Sequence, residues 1–182
     1  LQRSARALLP ADDPDLRQHR QSPTAGTWVS AESAQPDGQP ADLWINGEGW
    51  VCDRSQPLFP AEALAMPGAH NRQNLLLVTA AALQVGLSPA SIEAGLRSFP
   101  GVPHRLEPHG RIGNAQVFND SKATNYDAAA VGLKAMQGPV VVLAGGSTKQ
   151  GDATGWLEEL HRKACAVVLF GAGAEELHGL IT

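Results

Sequence analysis

The sequence predicts an α/β protein in two parts, a small antiparallel sheet with helices followed by a parallel, doubly wound α/β domain. Three observations carry this. Residues 23–60 hold short apolar bursts separated by Gly and Pro, residues 68–99 have helical composition, and from residue 104 onward apolar strands alternate with helices. Proline divides the chain at the same place. Eleven of the 13 prolines fall at or before Pro103, so the later part can run in uninterrupted strands and helices.

At 182 residues the chain can bury a real core, as one domain or two small ones. Its 43% hydrophobic and 18% charged content is that of a soluble globular protein. A net charge of −4 argues against nucleic-acid partners, which call for a basic patch. No apolar run approaches the roughly 18 residues of a membrane span, and nothing resembles a signal peptide, so the expected location is cytoplasmic. Cys52 and Cys165 stand far apart without a C-x-x-C pair or neighbouring His, and both read as buried free thiols rather than a disulfide or metal site.

Residues 1–20 are mixed and end in Asp12-Asp13-Pro14-Asp15-Leu16, a charged turn that could follow a strand or simply be solvated surface. Thr27-Trp28-Val29, Leu43-Trp44-Ile45 and Trp50-Val51-Cys52 read as strands, the last two joined through Asn46-Gly47-Glu48-Gly49, a hairpin signal. Their tryptophans are packing residues, because short strands need large side chains to build any core. Residues 71–85 are dense in Leu and Ala, and Gly86 stands where a left-handed residue would close the helix. Ser88-Pro89 then supplies an N-cap and a first-turn proline for a second helix, with Ile92, Leu96 and Phe99 on one face. Pro100-Gly101-Val102-Pro103 can continue neither helix nor sheet, which places a domain boundary there, with domains at 1–101 and 102–182. Beyond it, Gln116 to Phe118, Val140 to Ala144 and Ala166 to Phe170 are the expected strands of the parallel sheet. Tyr126 to Met136 and Gly155 to Lys163 are the helices between them.

The polar residues collect at strand ends. After Val117-Phe118 the chain reads Asn119-Asp120-Ser121-Lys122-Ala123-Thr124-Asn125 before the helix at Tyr126. One helix cap needs one side-chain oxygen, so a carboxylate, an ammonium, two hydroxyls and two amides exceed what capping requires. Strand-to-helix turns are also where ligands sit in open α/β sheets. The second strand ends in Gly145-Gly146-Ser147-Thr148-Lys149, where the glycines admit close backbone approach and Lys149 brings a point charge suited to carboxylate or phosphate. The third ends in Gly171-Ala172-Gly173, a tight turn that lacks the third glycine of a dinucleotide fingerprint. His70, Asn71 and Asn74 gather at a helix start, as caps or as groups facing a polar ligand.

Asp120-Ser121-Lys122-Ala123-Thr124-Asn125 resembles the signature that opens the C-terminal domain of the Mur ligases, in the branch that adds D-glutamate. Gly68-Ala69-His70-Asn71-Arg72-Gln73-Asn74, His104-Arg105-Leu106-Glu107 and Gly145-Gly146-Ser147-Thr148-Lys149 are similar to further motifs of that family, in its order and at roughly its distances. The resemblance covers most of residues 60–175. It implies an ATP-dependent ligase that joins D-glutamate to UDP-N-acetylmuramoyl-L-alanine through an acyl-phosphate, with ATP and Mg²⁺ required. It identifies residues 1–101 as the end of the central ATP-binding domain and 102–182 as the start of an incomplete, Rossmann-like C-terminal ligase domain. It implies that Asn71, Asn74, Arg105 and Asp120 bind the nucleotide. It also implies that Lys122, Thr124 and Lys149 bind substrate, with Lys122 catalytic. His104 and Glu107 are left between packing and hinge roles, and no metal ligand is assigned.

A phosphate-cradling G-x-x-x-x-G-K-[ST] loop occurs nowhere in the sequence. The chain is therefore expected to be a fragment, inactive alone, with the remainder of its own chain as partner and most Mg²⁺ ligands outside it. Two alternatives stand beside this: another Mur or folylpolyglutamate-type ligase, and a non-catalytic nucleotide- or partner-binding module.

Overall fold

Strand-formers between turn residues build the first half of the chain. The computed structural model describes residues 7–18, 26–54, 56–147 and 151–182, and the chain divides into two units, Leu1–Pro100 and Gly101–Thr182. The first unit contains a five-stranded sheet in the order β1 (Ala7–Pro10), β2 (Gly26–Ser30), β3 (Leu43–Ile45), β4 (Trp50–Asp53) and β5 (Pro57–Pro60).

The antiparallel part is the meander β3–β4–β5. Asn46 Oδ1 accepts from the Glu48 and Trp50 amides at 3.0 and 2.9 Å and closes the first turn. β2 differs from the expectation, because it runs parallel to both β1 and β3. The chain between Ser30 and Leu43 is long enough for the crossover of on the order of a dozen residues that parallel pairing requires, whereas antiparallel strands can be joined by a two-residue turn. β1 lies directly before the charged turn, where a strand could stand. Its four residues end in Pro10, which an edge strand tolerates. Asp12 is tied down rather than solvated: its Oδ1 accepts from Ser30 Oγ at 2.6 Å and its Oδ2 from the Ala31 amide at 2.7 Å. Asp13 Oδ1 takes the Asp15 and Leu16 amides and starts α1 (Pro14–Gln18).

Two helices cover this sheet. In α2 (Ala69–Gln84), Leu75, Leu76, Thr79 and Ala80 are buried at helical spacing. It ends at Gly86 in the left-handed region (φ 88°), with the Leu87 amide reaching back to the Ala82 carbonyl at 3.0 Å. Ser88 Oγ accepts from the Ser91 amide and caps α3 (Pro89–Ser98), which buries Ile92 and Leu96. These side chains meet Val29, Leu43, Val51 and Phe59 in one core. Of the tryptophans, Trp28 is buried whereas Trp50 is 39% exposed at the rim.

The second unit contains β6 (Glu107–Ile112), β7 (Ala115–Asn119), α4 (Tyr126–Ala135), β8 (Val140–Gly145), α5 (Thr154–Lys163), β9 (Ala164–Phe170) and α6 (Ala174–Ile181). β8 and β9 pair in parallel as expected. β7, anticipated as the first parallel strand, instead pairs antiparallel with β6, a strand the sequence pattern did not reveal. Gly113 (φ 58°) and Asn114 link the two. Gly at the first place of a two-residue loop is what a hairpin turn needs, and it selects the sequence-local partner. Leu133, Trp156, Leu160 and Leu177, from α4, α5 and α6, pack with Val140, Val142, Val167 and Leu169 of β8 and β9. The other face leaves Val141, Leu143, Val168 and Phe170 half exposed or more. Cys52 is buried as expected, whereas Cys165 is exposed, its Sγ 3.5 Å from the Val140 carbonyl.

Lys163, at the end of α5, caps another helix. Its Nζ donates to the carbonyls of Leu133, Lys134 and Met136 at 2.9, 2.7 and 2.6 Å, satisfying the open end of α4. Burial, with Arg162 beside it, pushes the ammonium below the ordinary lysine range. Lys163→Met keeps much of the aliphatic stem and removes the donor. The expected loss is about 1–3 kcal/mol of stability, the cost of partly buried carbonyls left without a partner. Thermal unfolding of the variant against the native chain checks it, and an unchanged midpoint would show that water replaces the ammonium at no cost.

Candidate functional site

The motifs at 104–107 and 119–125 lie far apart in sequence and adjacent in the second unit. β7 delivers Asn119 and Asp120 at its end, and α4 begins at Tyr126 with Asn125 as its cap, Oδ1 accepting from the Ala128 amide at 2.8 Å. Between them the backbone turns tightly, the Ala123 amide donating to the Asp120 carbonyl at 2.8 Å and the Thr124 amide to the Lys122 carbonyl at 3.0 Å. Capping thus consumes Asn125 alone. Ser121, Lys122 and Thr124 are left with exposed side chains.

His104 and Leu106 both adopt left-handed backbone, at φ 62° and 44°. Residues other than glycine hold such conformations at a cost of order 1–3 kcal/mol each and need surrounding contacts to impose them. Those contacts are present. The His104 amide donates to Glu107 Oε2 at 2.8 Å, and its carbonyl accepts from the Lys122 amide at 3.0 Å. The Leu106 amide donates to Asp120 Oδ1 at 3.0 Å, and Leu106 itself is buried. His104 Nδ1 and Asn119 Nδ2 share a hydrogen bond of 2.9 Å, while Asn119 Oδ1 accepts from the Ser121 amide. Arg105 stands exposed between the two left-handed residues. The turn and the loop are one cross-linked unit, and it presents Arg105, Lys122 and Thr124 to solvent around Asp120.

Of the residues implied by resemblance, Arg105, Asp120, Lys122 and Thr124 are therefore brought together. Lys149 lies outside the described residues. The glycines before it have a partner within the unit: a side chain at Gly145 would collide with Phe170, and the Gly146 carbonyl accepts from the Gly173 amide at 2.8 Å, so the ends of β8 and β9 are tied closely. In the first unit, Asn71 is buried at the start of α2 and its Nδ2 donates to the Pro67 carbonyl at 2.7 Å. Its Oδ1 lies 3.4 Å from Asn74 Nδ2, and Asn74 is exposed. Asn71 thus acts as a local tie, while Asn74 offers its amide to the surface. Glu107 and Asn119 tie the loop locally, through the His104 and Ser121 amides, and only the bond from Asn119 to His104 depends on the β6–β7 hairpin.

No protein-family model matches the chain. The UDP-N-acetylmuramoylalanine–D-glutamate ligase of Parasynechococcus marenigrum (strain WH8102) is 91% identical over 182 residues, covering 100% of this chain and 39% of that protein. The protein of the same name from Synechococcus sp. (strain CC9605) is 68% identical over 180 residues, covering 99% of this chain and 39% of its own length. The chain thus spans about 39% of the length of these relatives. Among solved structures, MurF from Acinetobacter baumannii superimposes with a TM-score of 0.60 at 19% identity, covering 97% of this chain and 44% of that one, which shows a shared fold.

The His104 amide, more than the neighbouring His109, holds the Glu107 carboxyl below the usual glutamate range. A carboxyl whose folded value is depressed stabilises above its unfolded value and loses that contribution as pH falls through the folded one. Amide exchange at His104 is therefore expected to accelerate as pH drops below the ordinary glutamate range, after correction for intrinsic exchange. In Glu107→Gln, whose amide oxygen still accepts but does not ionise, this step should vanish. A step that persists unchanged in Glu107→Gln would assign it to another group.

Proposed function

We infer from this homology that the chain is a segment of a UDP-N-acetylmuramoylalanine–D-glutamate ligase, an ATP-dependent acid–amino-acid ligase of peptidoglycan synthesis working in the cytoplasm. On this reading the first unit is the end of the central ATP-binding domain and the second the start of the Rossmann-like ligase domain. ATP supplies the phosphoryl group that activates the carboxylate of UDP-N-acetylmuramoyl-L-alanine.

The observation that supports the reading is the cross-linked turn and loop, in which two distant motifs meet with their cationic and hydroxyl groups outward. D-Glutamate brings two carboxylates, and Lys122, Thr124 and Lys149 supply two ammonium groups and a hydroxyl to match them. Lys122 also suits the charge that develops on a transferring phosphoryl group, where preorganised cations act. Arg105 and Asp120 suit the phosphates and ribose of a nucleotide, and Asn74, beside the buried Asn71, an adenine edge. The described residues hold no group of three or more His, Cys, Asp or Glu able to ligate a metal.

The roles of the lysines are separable in a full-length ligase carrying this segment. Lys149→Ala should remove a charge-assisted contact worth roughly 1.5–3 kcal/mol, a loss of about 10- to 150-fold. It should appear as a raised KM for D-glutamate, because a contact made equally in ground and transition states changes binding alone. Lys122→Ala should instead depress kcat and leave that KM nearly unchanged. Steady-state kinetics with D-glutamate varied, on variants shown to be folded by circular dichroism, give the answer. A normal KM in Lys149→Ala, or the reverse pattern, would contradict these roles.

A further inference from the structure

Among the glycines of the described helices, Gly132 differs from the rest. A side chain at Gly95, Gly155 or Gly179 would meet nothing within 4 Å, so those positions are open. Gly132 lies buried in the middle of α4, where glycine is a poor helix former. A Cβ there would lie far inside van der Waals contact with Asp120 Oδ2, 3.5 Å from Asp120 Cγ and 3.7 Å from Leu106 Cδ2. The other carboxylate oxygen, Oδ1, is the acceptor of the Leu106 amide. The Asp120 carboxylate thus sits with one oxygen on the left-handed Leu106 and the other in the notch that the missing side chain leaves in α4.

We propose that Gly132 is a positioning residue for the nucleotide end of the site: its notch seats the Asp120 carboxylate, which holds Leu106 left-handed and so sets the direction in which Arg105 is presented. Filling the notch pushes Oδ2 away from α4, the shift moves Oδ1 off the Leu106 amide, and the backbone flanking Arg105 loses one of the bonds that impose its conformation. The link from Gly132 to Asp120 and Leu106 rests on geometry alone. The link to the nucleotide rests on the function proposed above, and the two are tested apart.

The first test is a stability cycle on this chain with Gly132→Ala, Asp120→Ala and the double variant, and Gly155→Ala as the open-helix control. Gly155→Ala should raise the thermal midpoint, as Ala for Gly in an open helix does. Gly132→Ala should lower it in the native background and be neutral or raise it once Asp120 is Ala, because the clash is then gone. If Gly132→Ala alone fails to fold, recovery of folding in the double variant is the same result. A midpoint raised by Gly132→Ala in the native background, or lowered equally with Asp120 and without it, would overturn the seat. The second test is steady-state kinetics of Gly132→Ala in a full-length ligase carrying this segment. The KM for ATP should rise roughly tenfold or more, the loss expected when a contact to a charged group is misplaced, while the KM for D-glutamate holds. Coupling in the first test with an unchanged KM for ATP would overturn the positioning role and leave Gly132 a packing residue. Absence of D-glutamate ligation by the unsubstituted protein would instead count against the proposed function, with the stability cycle still deciding the seat.

Discussion

One hydrogen bond, from the Leu106 amide to Asp120 Oδ1, carries the organisation of the second unit's polar face. It joins the residues before β6 to the residues after β7, and with the bond from the Lys122 amide to the His104 carbonyl it closes the two motifs on each other. A carboxylate on a backbone amide is a charge-assisted bond, about twice as strong as a neutral one. That strength is needed here, because it helps to hold two non-glycine residues in left-handed backbone. Asp120 is thus a structural acceptor first, and any ligand it meets encounters a carboxylate already fixed by its own chain.

The rest of the unit shows how such a face is kept rigid while its cations stay free. The ends of α4 have side-chain partners: Asn125 takes the Ala128 amide at its start, and Lys163 takes the Leu133, Lys134 and Met136 carbonyls at its far end. Lys122 and Thr124 take no part in that capping and remain exposed. Glycine supplies the close approaches. Gly132 admits Asp120, and Gly145 and Gly171 let the ends of β8 and β9 come together. The same arrangement holds in smaller form in the first unit, where Asp12 ties the end of β1 to the end of β2 and Asn71 ties the start of α2 to Pro67.

What the sequence disclosed was what local chemistry determines. Gly86, Ser88-Pro89 and Asn125 are caps with short-range partners, and the ends of α2, α3 and α4 fell within one or two residues of where those signals put them. The Asn46-Gly47 turn likewise announced the β3–β4 hairpin. The misreadings were non-local. Nothing in Thr27-Trp28-Val29 distinguishes a strand that pairs in parallel with β1 and β3 from one in a meander, since the difference lies in the length of the connection. β6 contains Pro108 and Gly110 and leaves most of its residues exposed, so it offers no alternation to detect, and without that partner β7 reads like the parallel strands after it. The loop at 119–125 was visible as an excess of polar residues over what a cap needs. That its Asp120 would face inward to Leu106 and Gly132 while Lys122 and Thr124 face outward required the fold.

The organisation of this face rests on the bond between the Leu106 amide and the Asp120 carboxylate in the folded chain. Scalar coupling across a hydrogen bond reports it directly, measured by NMR between the Leu106 amide nitrogen and the Asp120 carboxyl carbon in isotopically labelled protein. A detectable coupling is expected, together with slow exchange of the Leu106 amide. No coupling, with an amide that exchanges as fast as in an unfolded chain, would contradict it.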